Sequence, residues 1–253
     1  MNPTAWHFRP AQPSDADACA RLTFDAGSAE IRFFLLDESD ERCIAFLRFA
    51  FATNGGEFSW RHHYVGCASD GTVLAETAIH DYRDVRLDGL RLIWALLRFF
   101  GLLKTLKILS RGTILEHEQP PPKRGQVLIR SYSVDKRAQA SNVPRMLFGH
   151  AIASGWLRFA PDRQYLLNVR QDNRARHLYE RLGFVVQPRQ HPPSARLPAE
   201  LESVCMVWSE RGIQSVCERA VRMWGPLAQQ SGAVPDTGLP AQTALIQQST
   251  LNG

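Results

Sequence analysis

Glu76 and His80 form the ionisable pair whose spacing best suits acid–base chemistry. Side chains alternate along a strand, so both lie on one face of a predicted strand, roughly 13 Å apart. Leu74 and Ala78 flank Glu76 on that face and suggest partial desolvation, which favours proton uptake by a carboxylate. Glu76 is therefore the candidate proton acceptor, although a solvated or ion-paired structural glutamate fits the pattern as well. His150, on a later predicted helix, fits a packing or surface histidine, and we assign it no role.

The most regular pattern of the chain lies in the short stretch from Asn173 to Phe184. Its apolar residues recur at i, i+3, i+4 and i+7 and form one helical stripe: Ala175, Leu178, Tyr179 and Leu182. Asp172 or Asn173 can cap the start of this helix, and Gly183 supplies the left-handed residue that ends it. The spacing alone leaves two interpretations open, a functional tyrosine or a well-capped helix with a buried one.

Composition bounds the class of protein. The 253 residues suffice for one domain with an insertion, or at most two small domains. An apolar content of 44% supports a buried core and opposes global disorder. The formal net charge of +5 suits an anionic ligand such as a phosphorylated cofactor, and it is equally common in proteins that bind no polyanion. Because no basic stripe is interleaved with aromatic residues, we expect no nucleic-acid partner.

Cysteine usage indicates the compartment. The chain has an odd number of cysteines and no C-x-x-C pair: Cys19, Cys43, Cys67, Cys205 and Cys217. This pattern argues against a disulfide framework and against a zinc site, so we expect no metal. Reduced thiols are typical of the cytoplasm, and no signal-peptide pattern is seen at the N-terminus, so we expect a cytoplasmic protein.

Periodicity and turn signals predict the elements that position these residues. Strands are predicted at about 6–9, 60–67, 72–80, 126–134, 164–170, 184–187 and 203–208. Helices are predicted at about 15–24, 30–51, 143–159, 173–182 and 213–224. Alternating strands and helices predict an α/β or α+β sheet with packed helices. The Asp70-Gly71 hairpin precedes the central strand, so the sheet is expected to be mixed.

Residues 86–111 differ from the rest, because leucine-rich turns alternate with basic residues. Gly101 is expected to divide them into two helices, within a helical insert at 86–122. Charges in the middle of the segment argue against a transmembrane span. Three interpretations remain open: a packed cover over the substrate end with a solvated basic face, a contact for an acidic substrate or partner, or an anionic membrane surface.

Three segments resemble the GNAT superfamily of N-acetyltransferases, in the family's order. The string from Asn173 to Phe184 is similar to the motif that closes the cofactor site. Phe8-Arg9-Pro10-Ala11 with Asp15-Ala16-Asp17 resembles the first strand and helix, and Ser133-Val134-Asp135 through Leu147 resembles the central strand, pyrophosphate loop and following helix. The resemblance spans about 6–208 and implies one GNAT domain over 1–208. A C-terminal helix at 209–225 and a disordered tail at 226–253 are expected to follow.

The resemblance places the pyrophosphate of acetyl-CoA at the start of the helix that follows the central strand, where free amides favour phosphate. Gln139 matches the family pattern, whereas Asn142 and Pro144 stand where the family has glycine. Asn tolerates positive φ, but proline has no N–H to donate. The remaining donors are expected to be the amides of Ala140, Ser141, Asn142, Val143 and Arg145.

The resemblance also implies roles for single residues. Backbone around Ser133 and Val134 would hold the acetyl and pantetheine groups, and Asn173 would orient the cofactor. Tyr179 would donate a proton to the coenzyme A thiolate, because a phenol is protonated at neutral pH.

The expected activity is transfer of acetyl from acetyl-CoA to an amine of a small molecule, peptide or protein. The alternatives are an inactive acyl-CoA-binding sensor, motivated by the missing loop glycines, and transfer of a longer acyl chain near a membrane. The sequence leaves open whether the protein forms a homodimer.

Overall fold

The computed structural model describes residues 6–37, 39–138, 143–160, 162–189 and 191–231, with main chain only at 144–145 and 226–231. Seven strands form one sheet: β1 (His7–Pro10), β2 (His63–Cys67), β3 (Val73–Asp81), β4 (Gln126–Val134), β5 (Gln164–Arg170), β6 (Phe184–Val186) and β7 (Ser203–Trp208). The helices in these ranges are α1 (Ala16–Ala26), α2 (Ser28–Leu35), α3 (Asp40–Phe51), α4 (Val85–Phe100), α5 (Leu102–Glu118), α6 (Val143–Ala153), α7 (Ala175–Arg181) and α8 (Glu210–Ser231).

The sheet is mixed, as the sequence predicts. Its strand order is β1-β2-β3-β4-β5-β7-β6. The pair β4–β5 is parallel, and the other neighbours are antiparallel. A parallel pair needs a crossover connection, and α6 supplies it. The predicted α/β class with a mixed sheet flanked by helices is therefore confirmed.

Helices cover both faces of the sheet, because each strand presents apolar side chains on alternate sides. On one face α6 and α8 pack on the sheet through Phe148, Val216 and Trp208. On the other face, α1 and α3 contact β2 through a cluster that contains Cys19 and Val65. The insert joins a further cluster of α1 to α3, which buries Leu96 of α4 and Ile108 of α5 completely.

The structure divides one predicted helix in two, and α6 ends at Ala153 rather than at about residue 159. The single helix expected at 30–51 is two helices, because Leu36 adopts a left-handed conformation with φ 52°. Ser39 then starts α3 by accepting a hydrogen bond from the Arg42 amide. Acidic residues in the first turn favour a helix start there, a signal that the apolar pattern obscures.

The C-terminal helix is longer than predicted. It runs to Ser231, past Pro226, where the sequence predicts a disordered tail. The backbone is non-helical at Trp224, and proline suits the first turn of a new helical segment after such a break. The remainder of the predicted tail, 232–253, lies outside the described residues. No helix in the described ranges combines the length and hydropathy that crossing a bilayer requires.

Candidate active site

The site begins where β4 and β5 separate. Their parallel ladder joins 126–129 to 164–167 and ends there. Just beyond, β4 bulges against β3, because Glu76 pairs with Ser133 while Ala78 pairs with Arg130. Ser131 sits in the bulge with φ 48°. A bulge bends its strand, so the C-terminal half of β4 diverges from β5.

The divergence opens a cavity of about 680 Å³, which we name the inter-strand cavity. Its walls are the ends of both strands together with α1 and α7. The strand residues that line it are Ile129, Arg130, Ser131, Tyr132, Ser133, Val134, Leu167, Asn168, Val169 and Arg170. Its basic lining residues are Arg130, Lys136, Arg170 and Arg174, against the acids Asp25 and Glu30. Lys136 and Arg174 are exposed, so the mouth of the cavity favours an anion.

Tyr179 lines the inter-strand cavity and is 7% exposed. Its ring lies between those of Tyr132 and Phe184, with centroid distances of 6.0 and 5.9 Å. Burial raises the pKa of Tyr179 well above its usual value. The phenol therefore keeps its proton at neutral pH and faces a cavity in which it could donate that proton.

The backbone around α7 fixes the direction of Tyr179. Asn173 lies one residue before the N-cap, Arg174, and closes the turn into the helix, since its Oδ1 accepts a hydrogen bond of 2.9 Å from the Ala175 amide. Gly183 ends it with φ 89°, and a Cβ there would lie 2.3 Å from Cα of Gly212. Only glycine fits this close approach, which the sequence predicts as a left-handed helix end.

The predicted cofactor residues divide into three groups. Ser133, Val134 and Asn173 line the inter-strand cavity. Val143 begins α6 and is fully buried, so its side chain contacts the core rather than a ligand. Gln139, Ala140, Ser141 and Asn142 lie outside the described residues, and so does the side chain of Arg145.

Glu76, the predicted proton acceptor, is completely buried. Its Oε1 accepts a hydrogen bond of 2.6 Å from Thr23, and its Oε2 lies 3.1 Å from Nδ1 of His63. Thr23 lines the inter-strand cavity, whereas Glu76 is not among the described residues of the wall. Thr23 therefore lies between the Glu76 carboxylate and the inter-strand cavity.

A second cavity of about 360 Å³ lies beneath α4 and α5, and we name it the insert cavity. Apolar side chains make most of its wall, among them Phe34, Leu92 and Leu109. Its acidic lining residues are Glu30, Glu57, Asp88 and Glu116, against the basic Arg130 and His80. It shares wall residues with the inter-strand cavity, which are Glu30, Ile31, Phe58, Gln119 and Arg130.

Glu30 is the acid on this shared wall. Its Oε2 is buried without a hydrogen-bond partner, and its Oε1 lies 4.0 Å from Nε of Arg170. Burial raises the pKa of Glu30, and Arg170 opposes that shift only in part. A free carboxylate oxygen between two cavities is placed to accept a proton from a group bound in either.

His62, His80 and Asp88 form a cluster at the wall of the insert cavity. Asp88 places Oδ2 2.8 Å from Nε2 of His62, and its Oδ1 accepts a hydrogen bond of 3.0 Å from the Gly56 amide. Burial, together with the neighbouring imidazoles of His62 and His63, lowers the pKa of His80 to about 3. The donor atoms of the three residues lie within 4.8 Å of one another, and these ligand types suit a divalent cation.

Comparison with known proteins places the fold. No protein-family model and no curated protein matches the sequence. A solved acetyltransferase structure matches with a TM-score of 0.55 at 19% identity, covering 79% of this chain and 97% of its own. An N-acetyltransferase from Staphylococcus aureus Mu50 matches with a TM-score of 0.55 at 14% identity, covering 79% and 99%.

A third structure, a histone acetyltransferase HPA2 and related acetyltransferase from Corynebacterium glutamicum ATCC 13032, matches with a TM-score of 0.51. Its identity is 18%, and the match covers 81% of this chain and 96% of that one. This chain therefore has the acetyltransferase fold, as the resemblance to GNAT proteins implies.

Proposed function

We propose that this protein transfers an acetyl group from acetyl-CoA to a primary amine. The observation that carries the proposal is the separation of β4 from β5 beyond Ile129 and Leu167, with Tyr179 lining the opening. Diverging strands leave room for an extended, peptide-like ligand, which matches the shape of a pantetheine arm. The acetyltransferase fold supports the same reaction class.

The inter-strand cavity fits the acyl donor. Lys136 and Arg174 line it as exposed cations and would attract phosphate groups, and a helix start such as that of α6 favours a diphosphate. Bound there, acetyl-CoA supplies the thioester carbonyl that the amine attacks. The chain supplies orientation from Asn173 and main-chain polar groups around Ser133 and Val134.

The insert cavity fits the acyl acceptor. Its acidic residues attract a cationic amine, and its apolar wall suits an aliphatic or aromatic body. The shared wall lets an amine bound there approach the inter-strand cavity. An apolar primary amine is therefore the substrate class that this geometry favours.

Proton transfers before and after the bond change complete the reaction. A cationic amine first loses one proton and becomes nucleophilic. The neutral nitrogen then attacks the thioester carbon, a C–N bond forms, the C–S bond breaks, and the second nitrogen proton replaces the one that Tyr179 gives up. Glu30, with its free Oε2 on the shared wall, accepts the proton that the amine loses. Tyr179 protonates the departing thiolate. Glu76 remains a second candidate base, acting through Thr23.

The test measures coenzyme A release by the full chain across a panel of primary amines, corrected for hydrolysis without amine. Tyr179→Phe removes only the phenolic oxygen, and Tyr82→Phe is the matched control because Tyr82 lines neither cavity. We expect amine-dependent release that Tyr179→Phe lowers and Tyr82→Phe preserves. Equal activity in all three proteins would remove Tyr179 from its role.

A second candidate function is binding of acyl-CoA without turnover. Asn142 and Pro144, in place of the family's loop glycines, favour it, because proline removes one phosphate donor. Calorimetric titration with acetyl-CoA separates the two functions. Binding without transfer to any amine supports a sensor, and amine-dependent transfer supports the enzyme.

A further inference from the structure

Helix α4 is apolar on two faces. Its inner face packs Leu96 into the core, where the side chain is 0% exposed. Its outer face carries a second apolar row with spacings of three or four residues: Leu87, Leu90, Trp94 and Leu97. This row is about 15 Å long by helix rise. A helix with apolar rows on two opposite faces normally has both of them covered.

The outer row continues past the turn at Gly101. Helix α5 begins with three further exposed leucines, Leu102, Leu103 and Leu106. Leu90 is 66% exposed and Leu103 is 78% exposed. We name these seven exposed residues of α4 and α5 the insert surface: Leu87, Leu90, Trp94, Leu97, Leu102, Leu103 and Leu106. Single exposed leucines are ordinary, but seven large exposed apolar side chains between residues 87 and 106 mark a surface that a membrane or another molecule covers.

The charged residues near the insert surface indicate what kind of molecule covers it. From residue 86 to residue 107 the chain has five basic residues, Arg86, Arg91, Arg98, Lys104 and Lys107, of which Lys104 forms an ion pair with Asp37. The one acid in this range, Asp88, is buried beside His62. Arg98 also holds its guanidinium 6.0 Å from the centroid of the Trp94 ring. Leucine, tryptophan and cations on one helical surface are the composition of helices that lie in an anionic bilayer interface.

The same charges oppose a second copy of the chain as the cover. In a two-fold dimer each patch meets itself, so Arg86, Arg98 and Lys107 of both copies would approach one another. No exposed acid within 86–107 could offset that repulsion. We propose that the insert surface binds the surface of an anionic phospholipid bilayer, with α4 and the start of α5 lying in the interface. This proposal does not depend on the acetyl transfer reaction.

The test is flotation of the full chain with vesicles of phosphatidylcholine alone and of phosphatidylcholine containing about one third phosphatidylglycerol. We expect the protein to float with the anionic vesicles, to bind neutral vesicles much more weakly, and to dissociate as salt rises. Flotation with neither composition, or equal flotation with both, overturns the proposal. These measurements need no variant.

Variants locate the contact. Leu90→Glu with Leu103→Glu places charges at two exposed positions, so the fold should survive, which circular dichroism checks. Met223→Glu is the matched control, because Met223 is 55% exposed and lies outside the insert. We expect the double variant to abolish flotation and the control to retain it. Arg98→Gln and Lys107→Gln should each weaken binding about fivefold.

Analytical ultracentrifugation without lipid tests whether a second copy of the chain covers the insert surface instead. We expect a monomer for the wild type and for the double variant. A wild-type dimer that Leu90→Glu with Leu103→Glu converts to a monomer would show that a second copy covers the insert surface, and it would overturn the bilayer proposal. Equal flotation of the double variant and the wild type would overturn it as well.

Discussion

The inter-strand cavity and the insert cavity adjoin, yet different parts of the molecule build them. The first arises from the sheet, where the bulge at Ser131 bends β4 away from β5. The second arises from α4 and α5, which close over the edge of the first. Basic lining residues outnumber acidic ones in the first, whereas the second has an apolar wall on which acidic residues outnumber basic ones.

This difference separates the two substrates of the proposed reaction. A phosphorylated, extended donor suits the opening in the sheet, and a cationic, apolar acceptor suits the space under the insert. Donor recognition is then a property of the fold, while acceptor recognition is a property of the helices added to it. Variants in the two cavities should therefore change different kinetic constants.

The strongest test of the donor side is Tyr179→Phe. We expect kcat to fall by about 10²- to 10⁴-fold, the usual contribution of a positioned general acid. The dissociation constant for acetyl-CoA should stay unchanged, because the ring and its packing remain. Steady-state kinetics and calorimetry measure the two quantities. A change in affinity with kcat intact would assign the phenol to binding instead.

Glu30→Gln tests the shared wall. We expect kcat/KM to fall about 100-fold near neutral pH, because the variant cannot accept the amine proton. Burial raises the pKa of Glu30, so wild-type activity should fall as pH drops through that raised value, where the carboxylate gains a proton. The variant should lack this acid limb in its pH–rate profile.

Glu76→Gln is the companion measurement to Glu30→Gln. Glu76 lies in the core with Thr23 and His63, so its substitution should lower stability and leave the acid limb in place. If instead Glu76→Gln removes the acid limb of the pH–rate profile and Glu30→Gln keeps it, the proton that the amine loses passes through Thr23 to Glu76.

Gly89→Leu tests the acceptor side. Gly89 lines the insert cavity, and a Cβ there meets nothing within 4 Å. A leucine should narrow the cavity and raise KM for the amine about tenfold, without altering acetyl-CoA affinity. Gly89→Ala is the control, because it adds one methyl group. Both should raise the free energy of unfolding by about 1 kcal/mol, since glycine disfavours a helix interior.

The smallest effect is expected at the mouth of the inter-strand cavity. Lys136→Ala and Arg174→Ala should each weaken acetyl-CoA binding about two- to fivefold, because exposed charges interact through water. Binding should also become less sensitive to salt. Lys123→Ala removes a cation that lines neither cavity and serves as the control. An equal loss of acetyl-CoA affinity in all three variants would show that only the overall charge of the protein matters.

The sequence predicts the elements around the inter-strand cavity well. Strands β4, β5 and β7 have the predicted bounds, and Tyr179 and Asn173 line the predicted opening. These features are local, because alternation, caps and turn residues act over a few positions. The pyrophosphate loop at 139–142 lies outside the described residues and stays a prediction.

The acceptor side could not be predicted in the same way. Glu30 and Glu116 line one cavity although they are distant in sequence, and only the packing of α2 against α5 brings them together. Glu76 shows the same limit. Its alternating neighbours indicate the face on which it lies, but not that Thr23 separates it from the cavity.

Helix α8 has a practical consequence for anyone who shortens or fuses the chain. Gly212 touches Gly183, at the end of α7, and the ring of Trp224 lies against Gly149 and His150 in α6. Helix α8 therefore holds both α6 and α7 in place, and α7 carries Tyr179, which lines the inter-strand cavity. A minimal version that stops after the last strand, or a fusion joined there, would lose these contacts, so an expression boundary belongs beyond Trp224.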